Sequence, residues 1–177
     1  MKKRWLVLSA LMLTLALTAC SNEGETEGKE EETTATETTN SEDTEKATKS
    51  AMMQFYMTVS KTINEKDGDL NAYEAAVGTE EPPTAEMKAS AEAAAAEVVS
   101  DLDSVEIPEA LADQKADLEA VVQELKDSYQ AKADELKKEE PSLDAANETF
   151  TSADEKMGQA FESVGLNPSS LSTEVNG

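Results

Sequence analysis

From Met52 to Val164 the apolar residues return at steps of three and four, and no stretch alternates with a period of two. That spacing collects side chains on one stripe of an α-helix and offers a sheet no apolar face. An all-α fold is therefore expected. The first stripe is Met52, Tyr56, Val59 and Ile63, widened by Met53 and Phe55, on a helix running from Thr44 to Lys66-Asp67-Gly68. Leu70, Tyr73 and Val77 suggest a short extra turn before Gly78.

Glu80-Glu81-Pro82-Pro83 then breaks the chain, and Thr84 has the hydroxyl of a helix N-cap. Met87, Ala91, Ala94, Val98, Leu102 and Val105 form the second stripe. Ala93 to Ala96 make this a thin helix that a neighbour can approach closely. Pro108 at a first-turn position opens a third helix, with the stripe Leu111, Leu118, Val122, Leu125, Tyr129 and Leu136. One apolar repeat is missing there, at Gln114 or Lys115. As one continuous element of nearly thirty residues it would be about 45 Å long, the longest of the set. Pro141 opens a fourth, carrying Leu143, Ala146, Phe150, Ala153, Met157, Phe161 and Val164, and Gly165-Leu166-Asn167-Pro168 ends it. Short connections between helices two, three and four make them antiparallel neighbours. The expected architecture is a small antiparallel helical bundle of four helices over residues 44–168, followed by a C-terminal tail, 169–177, with Leu171 and Val175 as its only packing groups.

The N-terminal segment has a different character. Lys2, Lys3 and Arg4 precede an apolar run from Trp5 to Leu17, and the small residues Thr18 and Ala19 lead to Cys20, the only cysteine. A basic start, a short apolar stretch and a small-residue exit form a secretory signal over residues 1–19. The ending Leu17-Thr18-Ala19-Cys20 resembles the lipobox of bacterial lipoproteins. The resemblance implies a diacylglyceryl group on the Cys20 thiol and cleavage after Ala19. It places the chain on the extracytoplasmic face of the cell membrane, held through the lipid on Cys20. Residues 20–43 contain Glu, Thr, Ser and Asn but, after Cys20, no Leu, Ile, Val, Met or aromatic residue. Such a segment cannot offset the entropy of ordering and is expected to be a disordered acidic tether.

The formal net charge of −23 includes three positive charges in residues 1–19, so their removal leaves −26. A chain so acidic lacks the basic patch that nucleic acid requires. There is no histidine, and the one cysteine is assigned to lipid. Ser-His and Cys-His nucleophiles are thereby excluded, and zinc, copper(II) and haem are deprived of their usual ligands. No glycine-rich phosphate loop occurs, no cofactor is indicated and no small-molecule substrate is evident.

Three local patterns invite a site. Asp67, Asp69 and Asn71 resemble the first three ligands of a calcium-binding EF-hand loop. The pattern departs where Ala72 replaces the turn glycine and Gly78 replaces the bidentate glutamate, and turn chemistry accounts for the same residues. Met52, Met53 and Met57 have the soft ligands of a copper(I) site, but helical spacing assigns them to the core. The many carboxylates single out no catalytic pair. The sequence thus favours a non-enzymatic lipoprotein that displays a helical domain to an unknown envelope protein, with the alanine face around Ala89 to Ala96, Ala91 and Ala94 included, as the expected contact. The alternative is capture of a cationic ligand, calcium or a basic peptide, by clustered carboxylates.

Overall fold

The computed structural model describes residues 35–175. Among them are six α-helices, one 3-10 turn and no strand. Helix α1 spans Ala35–Asn64, α2 Gly68–Val77, α3 Ala85–Leu102, α4 Lys115–Glu135, α5 Asp144–Ser163 and α6 Leu171–Val175; the 3-10 turn covers Glu109–Gln114.

The longest element is α1, about 45 Å from end to end. It begins at Ala35, inside the segment expected to be a tether. Its buried stripe is Met52, Phe55, Tyr56, Val59 and Ile63, whereas residues 42–47 are exposed. Once a packed helix exists, each further residue outward gains a hydrogen bond without repeating the cost of nucleation, so the helix extends past its apolar stripe. Met53, expected on that stripe, is 43% exposed.

In α3 the Thr84 hydroxyl accepts from the Met87 amide at 3.1 Å, the N-cap bond its side chain was expected to supply. Ala91, Ala94, Ala95, Val98 and Leu102 are buried. These alanines pack within the chain's own core, which corrects the expectation that Ala91 and Ala94 face a partner. Only Ala89, Ala93 and Ala96 of that tract are exposed.

The third stripe does not lie on one continuous helix. Pro108 is extended (φ −57°, ψ 142°), and Leu111 at φ −110°, ψ 24° interrupts the helical path. Regular α4 starts at Lys115, where the apolar repeat is missing. The turn carries Leu111 against α1, and α4 is then only about 32 Å long. Its buried face includes Val121 in place of the half-buried Val122. Helix α5 starts three residues after Pro141 and buries Ala146, Phe150, Ala153, Met157, Phe161 and Val164. It closes as read. Gly165 takes φ +72°, its amide donates to the Glu162 carbonyl, and the Leu166 amide donates to the Phe161 carbonyl.

Side-chain bonds fix the relative directions. Lys88 reaches the Lys138 carbonyl and Lys126 reaches Asp103, so α3 and α4 are antiparallel. Ser128 donates to the Ala146 carbonyl while Glu124 accepts from Ser152 and Lys156, so α4 and α5 are antiparallel too. The expected tail is a strap. Helix α6 buries Leu171 and Val175, and its start is held by Asp154, which accepts from the Leu171 amide at 2.6 Å and the Ser170 hydroxyl at 2.9 Å. Tyr56 donates to the Ser170 carbonyl, Asn64 to that of Glu174 and Asn71 to that of Val175.

Because Ala91 belongs to the core, Ala91→Glu should cost more than about 3 kcal/mol through an unpaired buried charge. Ala93→Glu, two residues away on the exposed side, should stay within about 0.5 kcal/mol of the parent. Urea unfolding of both variants checks the assignment, and equal effects would overturn it.

Candidate functional site

The site is built around Lys132. Position 132 on α4 follows Tyr129 by three residues and precedes Leu136 by four, so helical geometry turns it inward. Its side chain is 6% exposed. The ammonium lies 5.4 Å from the centroid of the Tyr129 ring and 5.9 Å from that of Phe150 on α5, within cation–π range of both. Its ion pair is with Glu74 on α2, Nζ to Oε1 at 2.8 Å, and the Glu74 side chain is 25% exposed.

These residues line a cleft where α2, α4, α5 and α6 meet. It has a volume of about 360 Å³. Tyr129, Phe150 and Lys132 are its buried wall, Asn71 and Glu74 one side, and Asn147, Thr151 and Ser172 the rim. Behind it sits Asp67, 2% exposed, accepting from the Tyr129 hydroxyl at 3.2 Å. Burial pushes the Asp67 carboxyl up from the usual carboxylate range, and the hydrogen bonds from Tyr129 and Asn71 and the charge of Lys132 oppose that only in part. The Tyr129 hydroxyl is raised as well, by burial and then by the Asp67 charge, and remains a donor.

Of the three residues of the calcium-like pattern, Asn71 hydrogen-bonds Asp67, and Asp69 lies in a different, exposed environment. Asp67 points into the core, Asp69 is exposed, and the Asn71 amide nitrogen is bonded to the Val175 carbonyl at 3.0 Å. Among the described residues no group of three or more carboxylates gathers to hold a metal ion. Met52 is fully buried whereas Met57 is 62% exposed, so these two thioethers do not share an environment. Cys20 lies outside the described residues.

The sequence reading missed Lys132 and Glu74. The available signal was a polar residue standing between Tyr129 and Leu136 at the spacing of an apolar one. Comparisons with protein-family models, with curated proteins and with solved structures gave no match for this chain.

The two ends of the ion pair differ in their access to water. Glu74→Gln should cost about 3 kcal/mol, because it strands the buried ammonium. Lys132→Met should cost less, since methionine fills the same space against the two rings and the leftover carboxylate can turn to solvent. Denaturant unfolding of both single variants and the double variant tests this. The reverse order would assign the buried end to Glu74.

Asp67 gives a pH dependence of defined sign. With its folded value raised, the folded chain holds the proton more tightly than the unfolded chain does. The associated stabilisation is complete below the unfolded carboxylate range and is lost as pH rises through the folded value. Asp67→Asn keeps an acceptor for Tyr129 without the charge. Its stability relative to the parent should therefore be greater at about pH 7.5 than at about pH 4. A difference independent of pH in paired urea titrations would refute the assignment.

Proposed function

We propose that the protein is a lipid-anchored extracytoplasmic lipoprotein that displays its helical domain beyond the membrane and acts by contact rather than by catalysis. The observation that carries this reading is the ordered N-terminal pattern: Lys2-Lys3-Arg4, the apolar run, and Leu17-Thr18-Ala19 before the single Cys20. A diacylglyceryl group supplies two chains, and each buried CH₂ adds about 0.8 kcal/mol, enough together for stable attachment where one chain is marginal. Among the described residues no helix is long and apolar enough to cross a membrane. The surface of the displayed domain is acidic, which favours solubility and repels other anionic surfaces. It also suits a neutral or basic envelope partner.

The reading is tested by expressing the chain in a bacterium with lipoprotein processing, labelling with an alkyne palmitate analogue and measuring the intact mass. The expected product starts at Cys20, carries the lipid mass and partitions into the membrane fraction. Cys20→Ser should lose the label and keep the precursor mass. A mature chain with an unmodified Cys20 thiol, or one beginning at another residue, would refute the anchor.

A further inference from the structure

The cleft between α2, α4, α5 and α6 has features that internal packing alone does not require. Replacing a buried ion pair by well-packed apolar residues of similar volume is often neutral or stabilising. Instead, Lys132 and Glu74 both line an open cleft of about 360 Å³, within the lower part of the range occupied by small-molecule sites. Their contact involves one Glu74 oxygen and leaves further capacity on both groups. An ammonium has three protons to donate, and a carboxylate has two oxygens to accept.

The charge balance narrows the ligand class. The cleft lining carries one positive and one negative group, Lys132 and Glu74, with the Asp67 carboxyl buried behind Tyr129. A simple anion would satisfy Lys132 but meet Glu74, with the acidic net charge of the whole chain also opposing its approach. A simple cation would satisfy Glu74 but meet the ammonium of Lys132 at close range. A ligand with both charges matches both groups and leaves no uncompensated charge in a partly dry site. Beside the pair, the rings of Tyr129 and Phe150 close the floor of the cleft beneath the Lys132 ammonium, and Asn147 and Thr151 on the rim supply polar atoms.

We infer that this cleft binds a small zwitterion of the amino-acid class, with the ligand carboxylate on Lys132 and the ligand ammonium on Glu74. The site is independent of where the chain is anchored.

The experiment uses the full chain in detergent micelles, titrated with pools of the common L-amino acids at millimolar concentration and followed by two-dimensional amide NMR. At least one pool should give saturable shifts at residues around Glu74, Lys132 and Thr151. The deaminated and decarboxylated analogues of the amino acid responsible should each bind about tenfold more weakly or worse. Lys132→Met should abolish the response. Asn147→Trp, which fills the rim from an exposed position and leaves the core intact, should abolish it too, and it keeps the test valid if Lys132→Met fails to fold. No saturable response from any pool would overturn the proposal. So would binding that survives Asn147→Trp, or a singly charged analogue that binds as tightly as its parent.

Discussion

A cation inside a helical core must be held, and the position of Lys132 makes the rest of the packing answer to it. Its ammonium has a carboxylate from α2, a ring from its own helix and a ring from α5. Sliding α2 by one turn along α4 would carry Glu74 about 5.4 Å from the ammonium, leaving a buried charge without its counter-ion. Apolar contacts do not enforce register this strongly. The core face of α3 is mostly alanine, and small flat side chains let helices slip at little cost. A buried pair contributes little net stability, and its larger effect here is to make the shifted arrangements expensive. The Tyr129–Asp67 bond, formed where α1 hands over to α2, acts in the same direction.

What could be read from the sequence followed from how many residues shared in each signal. Helix α5 was legible because seven apolar positions repeat without a gap and a Gly-Leu-Asn-Pro ending suits a left-handed glycine cap followed by a stop. The thin face of α3 was legible as a face, but its destination was not. Composition alone does not tell an alanine surface that receives a neighbour within the chain from one that awaits another protein. The third stripe carried its own warning at Gln114 and Lys115, where the helix path does break, yet a single absent repeat does not distinguish a break from a solvated turn.

The cleft was hidden for a different reason. Lys132 enters the core because Glu74 and Phe150 meet it from two other helices beside Tyr129 of its own, and no local window contains that arrangement. Asp67 misled for the same reason. In sequence it stands among Gly68, Asp69 and Asn71 as a turn residue or a cation ligand, but tertiary packing turns its carboxyl toward a tyrosine on another helix. The strap was hidden because Leu171 and Val175 are two isolated apolar residues among serines, threonine and glutamate.

That strap also sets where the molecule is least strongly held. A helix of five residues has no stability of its own, since nucleation alone outweighs the few hydrogen bonds it can form. Helix α6 exists through two buried side chains, the Asp154 cap and the donors Tyr56, Asn64 and Asn71. Each of those is a contact with α1, α2 or α5. Elements attached in this way open at lower free energy than the core they rest on. Ser172 of α6 forms part of the rim of the cleft that holds the ion pair. The bundle thus combines a register fixed from within by Lys132 with a cleft edge supplied by its shortest helix.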